Sequence, residues 1–294
     1  MDLKILYASY VNGSDIPPYI RFTLKCLSDL GLSVVYITNQ RDIENSALDF
    51  LKQNQVELFL TPNKGYDFGM WRRYLASTPN RDWNRLCLIN DSIVYYQNRF
   101  EEYFKKAESS DADMISLTEN HEISYHLQSF FLYLKPAAIQ ALETHFTENP
   151  DKDEFYEIVT SMEIGLSSRM LQQNLKLLSL FKTTKSVLFA YSELIEQGAG
   201  FMKKKLLEIR FTRAEKLHFF RHKAHQALFT NYLNLIQNQV DPSFDYESLK
   251  TYPPKLFSRF KDRLLFLNYS LAYFFLYKPF LILKNKINPF SKSS

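Results

Sequence analysis

The chain has 294 residues, of which 46% are hydrophobic and 16% aromatic, enough for one large domain or for a domain with an appendage. The net charge is only +4, yet two basic segments, residues 203–223 and 255–294, together carry more than this, so the rest of the chain is acidic. This polarity favours an anionic surface as partner. Because no zinc-finger spacing or RNP-like run is present, a membrane surface is favoured over nucleic acid.

The two cysteines and the first residues predict a cytoplasmic protein. Cys26 and Cys87 both lie in apolar surroundings, which predicts two reduced, buried thiols. Residues 1–10 are strand-like and lack the basic flank and long apolar run of a signal peptide.

Strand-like and helix-like segments alternate through the first part of the chain. Strands are predicted at residues 4–9, 33–38, 56–60, 85–89, 112–117 and 128–134. Helices are predicted at residues 17–31, 42–54, 68–77 and 99–108. This alternation predicts a doubly wound α/β fold with a mostly parallel sheet flanked by helices. Neither G-x-G-x-x-G nor G-x-x-x-x-G-K-[ST] occurs, so any nucleotide is held without a dinucleotide fingerprint or a P-loop.

The chain becomes largely helical after Pro136. Helices are predicted at residues 136–146, 155–174, 192–208 and 212–238. Near the end, residues 264–277 are mostly apolar and are flanked by basic residues, but Lys278 and Pro279 interrupt a run that would need about twenty apolar residues to span a bilayer. A helix lying in the membrane interface is favoured. Packing on the domain or on a second subunit is the alternative, and a spanning helix ranks last.

The segment 63–75 is the first candidate binding site. It contains Gly65 and Gly69, two of only seven glycines, between a predicted strand and a predicted helix. Glycine at such a turn permits a positive φ or a close approach to the backbone, and ligands of open α/β sheets bind where strands end. Asp67 makes this turn polar, whereas Trp71 is expected in the core.

A second polar cluster, Asn90-Asp91-Ser92, directly follows the strand predicted at 85–89. A carboxylate there faces the ligand crevice and could hold Mg²⁺ or Mn²⁺ together with substrate phosphates. The alternative is that Asn90 and Asp91 cap the turn or the next helix.

Two further stretches offer polar chemistry. Residues 118–129 carry side chains suited to hydrogen bonds with hydroxyl groups, and zinc is not expected because H-E-x-x-H is absent. Glu163 is predicted near the beginning of a helical segment, where it could take a proton from an attacking hydroxyl. The alternative is that Glu163 only stabilises the helix dipole.

Several segments, in order, resemble the rhamnan synthesis F family of bacterial cell-surface polysaccharide proteins. The matching segments are residues 63–69 with Trp71, 89–92, 117–123, 125–132, 163–167, 194–198 and 201–204. The resemblance covers residues 3–208, which predicts a catalytic domain at residues 1–210 and a helical, basic extension at 211–294.

This resemblance implies a glycosyltransferase with a GT-A-like nucleotide-binding core. The basic C-terminal region, together with the predicted cytoplasmic setting, separately predicts attachment to the inner face of the plasma membrane. The donor would be a nucleotide sugar, dTDP-L-rhamnose by the family label, with UDP- and GDP-sugars left open. The acceptor would be a glycan, lipid-linked, of the capsule, O-antigen or rhamnan type. The alternative is a non-catalytic, membrane-associated subunit that binds glycan or scaffolds an assembly complex; the oligomeric state is left open.

The resemblance also assigns roles to residues. Asn90-Asp91-Ser92 stands where the family has its D-x-D motif, so Asp91 would contact a metal ion (Mg²⁺ or Mn²⁺) or the diphosphate, and Glu163 would be the catalytic base. Arg72 or Arg73 would stabilise the diphosphate. The expected nucleotide-sugar contacts are Asn63, Gly65, Asp67, Gly69, Arg72, Asn90 and Ser92. The expected sugar or acceptor contacts are Glu122, His126 and Gln128.

Overall fold

The computed structural model describes residues 2–152, 154–184, 187, 190–204 and 236–251, all of which belong to one compact unit. The strands are β1 Leu3–Ser9, β2 Ser33–Thr38, β3 Glu57–Leu60, β4 Arg85–Asn90, β5 Ile93–Tyr95, β6 Met114–Ser116, β7 Glu119–Asn120, β8 His126–Leu127, β9 Phe131–Leu134, β10 Leu177–Ser179 and β11 Phe201–Lys203. The helices are α1 Pro18–Asp29, α2 Asn45–Gln53, α3 Tyr66–Ser77, α4 Phe100–Ser109, α5 Pro136–Glu148, α6 Phe155–Ile158, α7 Gly165–Gln172 and α8 Tyr191–Glu196, with a π-helical section, Val159–Ile164, between α6 and α7 and a further short helix at Tyr246–Thr251.

Two predictions concern residues outside the ranges that the structure describes. Most of the predicted helix 212–238 and the whole apolar segment 264–277 lie outside the described residues. The boundary near residue 210 and the helical extension therefore stay predictions.

Seven strands form the central sheet, in the order β10-β6-β9-β4-β1-β2-β3. All run in one direction except β9, which pairs antiparallel with both β4 and β6. The predicted α/β class, with a mostly parallel sheet flanked by helices, is confirmed. β1 lies between β2 and β4 and is parallel to both, with Ala8 opposite Asn90. The carboxyl ends of β1 and β4 consequently lie side by side.

Helices pack on both faces of the sheet. Each face offers side chains for this packing, because alternate side chains of a strand point to opposite faces. On one face, Leu6 and its neighbours pack with residues of α3, α5 and α7. Trp71 belongs to this core, as predicted, and its indole N–H donates to the Leu6 carbonyl at 3.2 Å. On the other face, Phe104 of α4 stacks on Phe131, and its ring centroid lies 6.1 Å from that of Tyr133.

Both cysteines are buried and free, as predicted. Burial penalises the thiolate and raises the pKa of Cys26 to about 12. The same cause raises the pKa of Cys87 well above its usual value. Both thiols therefore stay protonated at neutral pH.

The predicted helix 192–208 is wrong over residues 197–204, because α8 ends at Glu196, and residues 205–208 lie outside the described residues. Gly198 and Gly200 have φ values of 69° and 68°, and this left-handed backbone cannot continue a helix. The chain instead forms β11, a strand that the sequence pattern did not predict. β11 pairs antiparallel with β5. Lys203 lies opposite Ile93 in this pairing, so the end of β11 meets the turn that follows β4.

The predicted helix 155–174 is present as one continuous helical segment made of α6, the π-helical section and α7. Glu163 lies inside the π-helical section, so the prediction that it stands near a helix beginning is wrong. The helix dipole consequently does not account for its position. π-helical turns occur frequently at functional sites.

The turn before α3 is packed against Asp151, which lies in the loop after α5. Gly65 precedes α3 in the left-handed conformation, with φ 72°, and a Cβ there would lie 2.5 Å from Asp151 Oδ1. A Cβ on Gly69 would overlap the Lys64 carbonyl oxygen and lie 2.8 Å from the same carboxylate oxygen. The two glycines provide room for a contact within the protein.

Gly69→Ala is expected to lower the free energy of unfolding by about 3 kcal/mol, because the new methyl group overlaps backbone atoms rather than a movable side chain. Gly165→Ala, at the other helical glycine of the described chain, is the matched control. Its methyl group would lie 3.3 Å from the His145 ring, and the helix preference of alanine offsets this contact to within about 1 kcal/mol. Chemical denaturation measures both, and equal losses would contradict the backbone overlap.

Candidate functional site

A cavity of about 840 Å³ opens at the carboxyl ends of β1 and β4. Ala8, Ser9 and Asn90 line it where the two strands end. Further lining comes from the turn before α3, the turn after β4, the β7–β8 hairpin and the loop before β9, α6 with the π-helical section, and β11. Ligands of open α/β sheets bind at this edge, and the volume suits a small molecule.

Most of the predicted site residues line this one cavity although they come from widely separated parts of the chain. They are Asn63, Gly65, Asp67, Asn90, Asp91, Ser92, Glu122, His126, Gln128 and Glu163. The structure thus brings these side chains together, and their individual roles stay predictions.

Two predicted contacts, Gly69 and Arg72, lie outside the lining. Gly69 is buried against the Lys64 carbonyl and Asp151. Arg72 pairs with one oxygen of Asp151 at 2.7 Å, and Arg73 pairs with the other oxygen at 2.7 Å. The close approach expected of a nucleotide at Gly69 is therefore made by Asp151. The two arginines, which were expected to stabilise a diphosphate, fasten the loop after α5 to α3.

Asn90 connects the two polar turns of the cavity. Its side-chain N–H donates to the Asp67 carboxylate, and its side-chain oxygen accepts from the Ser92 N–H at 3.0 Å and the Ser92 hydroxyl at 2.6 Å. The backbone N–H of Asn90 donates to the Phe130 carbonyl at 3.3 Å. Asn90 stabilises the turn after β4, as the alternative interpretation predicted, and it also lines the cavity.

The Asp67 carboxyl has a raised pKa. Burial penalises its charged form and raises the pKa from 3.8 to about 6. The hydrogen bond from Asn90 acts in the opposite direction, and the negative charge of Glu163 adds to the rise. Asp67 therefore exchanges its proton nearer to neutral pH than an exposed aspartate does.

Asp91 is paired with a lysine that the sequence analysis assigned no role. Its Oδ2 accepts from the Lys204 ammonium at 2.5 Å and from the Tyr19 hydroxyl at 3.4 Å. Both side chains of the ion pair are largely buried, with 15% of Asp91 and 13% of Lys204 exposed. The preceding residue, Lys203, lines the cavity, and its ammonium lies 4.3 Å from the centroid of the Phe130 ring.

Glu163 is held by a backbone donor and faces a histidine. Its Oε1 accepts from the Ser129 N–H at 2.6 Å, and its Oε2 lies 4.0 Å from His126 Nε2. His126 Nδ1 lies 2.9 Å from the Ser124 carbonyl, which can only accept, so Nδ1 carries the proton in this contact. The histidine orientation is therefore fixed, and Nε2 is directed towards the carboxylate.

The other two predicted sugar contacts differ in rigidity. The side-chain oxygen of Gln128 accepts from the Thr118 hydroxyl at 2.9 Å, which fixes the amide at the cavity wall. Glu122 is exposed, and its backbone N–H donates to the Asn120 side chain at 2.7 Å. Gln128 is consequently preorganised, whereas Glu122 stands in solvent at the opening.

An apolar rim, which the sequence analysis did not predict, surrounds the polar lining. It consists of four exposed side chains that also line the cavity: Tyr10, Tyr66, Ile123 and Phe155. Phe155 is 66% exposed, and its ring centroid lies 6.3 Å from that of Tyr66. The high aromatic content was a signal for such a surface, but composition alone does not locate it.

The donor set at Asp91 does not fit a divalent cation. The carboxylate oxygen that would bind the ion already accepts from Lys204, so a cation there would lie against an ammonium group. Within the described ranges, no group of three or more His, Cys, Asp or Glu side chains is arranged to hold a metal ion.

The fold and the site define an α/β protein with a charged ligand cavity at the carboxyl edge of its sheet. The family model of Rhamnan synthesis protein F matches residues 34–248, and the chain belongs to that family. Membership supports a transferase role of the glycosyltransferase type. No curated protein sequence matches the chain.

Solved structures with a related arrangement are distant in sequence. A protein from Desulfovibrio desulfuricans G20, assigned as a nucleotide-diphospho-sugar transferase, is 14% identical over 81% of this chain and 97% of its own, with a TM-score of 0.40. A cytidylyltransferase from Leptospira borgpetersenii is 13% identical over 82% and 99%, with a TM-score of 0.40. A 4-diphosphocytidyl-2C-methyl-D-erythritol synthase from Anaerococcus prevotii is 9% identical over 61% and 87%, with a TM-score of 0.41. Likenesses of this size show neither an activity nor a substrate for this chain.

Among the helices in the described part of the chain, none is both long and apolar enough to cross a membrane.

Asp67→Asn is expected to change how stability depends on pH. The pKa of Asp67 is raised in the folded state, so the wild type loses stability as pH rises from 3.8 to about 6. The difference in free energy of unfolding between the wild type and the variant changes by about 3 kcal/mol over this range. Denaturant titrations between about pH 4 and pH 7 measure this difference. Asp49→Asn, at an exposed position of α2, is the control and should follow the wild type. Parallel curves for Asp67→Asn and the wild type would contradict the raised pKa.

Proposed function

We propose that this protein transfers a sugar from a nucleotide-sugar donor to a growing cell-surface polysaccharide. The observation that carries the proposal is that one cavity contains a positioned carboxylate, Glu163, together with the cationic side chain of Lys203. A carboxylate can accept the proton of an attacking hydroxyl, and a cation can stabilise a leaving diphosphate. Family membership supplies the polysaccharide context.

The donor is proposed to bind between the turn before α3 and the turn after β4. Asn63, Gly65 and Asp67 line the first side of this space, and Asn90 and Ser92 line the second. Their backbone and amide groups suit the hydrogen-bonding edges of a nucleotide. From the family name, dTDP-L-rhamnose is the first donor to test, followed by UDP- and GDP-linked sugars.

The proposed reaction is a single displacement with inversion. An acceptor hydroxyl oxygen attacks the anomeric carbon, and a new carbon–oxygen bond forms. The bond from that carbon to the β-phosphate oxygen breaks, and its electron pair leaves with the nucleoside diphosphate. The hydroxyl proton passes to Glu163, whose second oxygen remains fixed by the Ser129 N–H.

The acceptor is proposed to lie across the apolar rim. Aromatic side chains such as Tyr66 and Phe155 offer large faces for the apolar side of a sugar ring. Glu122, His126 and Gln128 are the polar groups of the lining on the acceptor side. We propose a lipid-linked glycan as acceptor, of the capsule, O-antigen or rhamnan type.

Glu163→Gln is expected to retain donor binding and to lower the transfer rate by at least about 100-fold, since the amide keeps the shape but cannot take the proton. Glu157→Gln is the matched control, because Glu157 is exposed on the same helical segment and does not line the cavity. Release of nucleoside diphosphate and calorimetric donor binding measure the two effects. Near wild-type transfer by Glu163→Gln would remove the base assignment.

A non-catalytic subunit that binds glycan or scaffolds an assembly complex is the second candidate. It is favoured by one observation, the sequence Asn90-Asp91-Ser92 at the position of the family's D-x-D motif. A panel of nucleotide sugars distinguishes the two candidates. Glycan binding without nucleoside diphosphate release from any donor would favour the subunit.

The full-length chain is further proposed to attach to the anionic inner face of the plasma membrane through residues 255–294, which are strongly basic. Co-sedimentation with vesicles containing anionic lipid is expected to exceed that with neutral vesicles and to fall as salt is added, because salt screens the attraction. Equal sedimentation with both vesicle types would contradict this attachment.

A further inference from the structure

We propose that Lys203 and Lys204 take the place of a divalent cation at the donor's diphosphate, so that donor binding needs no metal ion. The inference rests on the proposed function for the identity of the ligand. It adds that the cation at this site is supplied by the chain itself, from a strand far from Asp91 in the sequence.

The backbone fixes both lysines beside the turn after β4. Lys203 is paired with Ile93 at the end of the β5–β11 ladder, and the Lys204 N–H donates to the Ser92 carbonyl at 3.0 Å. At the other end of β11, the Gly200 carbonyl accepts from two successive backbone N–H groups after β5, at 3.0 and 3.2 Å. The backbone of both lysines is therefore held beside the turn after β4 by hydrogen bonds that do not depend on the side chains.

The proposed diphosphate site contains the negative charge of Asp91, and the two lysines are needed to compensate it. Asp91 alone would repel a diphosphate, and a metal ion normally removes this repulsion by bridging carboxylate and phosphate oxygens. Here Lys204 neutralises Asp91 through the contact at 2.5 Å. Lys203 also lines the cavity, with its ammonium 4.3 Å from the centroid of the Phe130 ring.

The two lysines have different roles in this proposal. Lys203 lines the cavity and would contact the phosphate oxygens directly. Lys204 acts through Asp91 and is a positioning residue, since its ammonium is engaged with that carboxylate and with the Tyr19 hydroxyl at 3.4 Å. A purely structural ion pair is the competing explanation for Lys204, and it predicts no change in metal response when the lysine is removed.

The experiment is calorimetric binding of UDP, GDP and dTDP to the full-length protein, in EDTA and then with excess MgCl₂ or MnCl₂. At least one of these nucleotides should bind in EDTA, with a Kd that changes by less than about threefold when metal is added. Lys203→Gln should weaken this binding by about tenfold or more, because a charge-assisted contact is lost, and Lys203→Arg should restore much of it. Lys105→Gln, at an exposed position of α4, is the control.

Lys204→Met tests the second role. It should weaken binding in EDTA and make binding respond to Mn²⁺, because Asp91 is then released to bind a cation. Thermal melts of each variant verify folding, and Asp91→Asn combined with Lys204→Met gives a neutral pair that keeps the site free of an unpaired charge. This double variant should bind in EDTA with no response to Mn²⁺.

The outcomes separate the inference from the proposed function. Binding that requires Mg²⁺ or Mn²⁺ in the wild type would overturn the inference and leave the proposed donor class intact. Wild-type affinity of Lys203→Gln, or an unchanged metal response of folded Lys204→Met, would also overturn it. Failure of all three nucleotides to bind under either condition would reject the donor class, and the inference with it.

Discussion

Three partly buried carboxylates, Asp67, Asp91 and Glu163, face one cavity, and the need to hold like charges close together shapes the whole site. Each is compensated differently. Asp67 accepts from a neutral amide and has a raised pKa, Asp91 pairs with the ammonium of Lys204, and Glu163 accepts a backbone N–H from Ser129. At Asp91 the negative charge is neutralised by a lysine, which suits an anionic ligand, whereas Glu163 keeps a carboxylate that can accept a proton.

The compensation depends on sheet topology. The parallel pairing of β1 with β4 brings Ala8 alongside Asn90 at the sheet edge. The reversal of β9 then carries Ser129 and Phe130 to the same edge, where their backbone groups meet Glu163 and Asn90. A second, two-stranded sheet, β5 with β11, delivers the lysines. Each partner of an acidic group therefore arrives on a different strand or turn, so the site forms only when the long-range pairings have formed.

The local patterns of the sequence predicted what local physics determines. Apolar runs located β1 to β4 within one residue at each end, and the polar residues that follow β4 were recognised because a buried strand must end before them. Asp151 was missed because its partners, Arg72 and Arg73, lie on a distant helix and no periodicity marks a loop carboxylate. β11 was missed because the glycines at 198 and 200 end a helix-like run through their left-handed backbone, while its pairing partner lies far away in sequence. The hydrogen bond to Glu163 was equally invisible, since its donor is a backbone group.

The departure of Asn90-Asp91-Ser92 from the D-x-D motif that the resemblance implies can be compared with the charge of the neighbouring Lys204. A motif with two outer aspartates concentrates negative charge that a divalent cation must offset. Here both outer positions are neutral, and their side chains bond to each other and to Asp67 instead. One remaining carboxylate needs only one positive charge, and a lysine ammonium supplies that charge. Losing the aspartates while keeping a metal ion, or losing the metal ion while keeping the aspartates, would leave charge uncompensated in a largely buried site. The two differences from the motif therefore balance one another in charge.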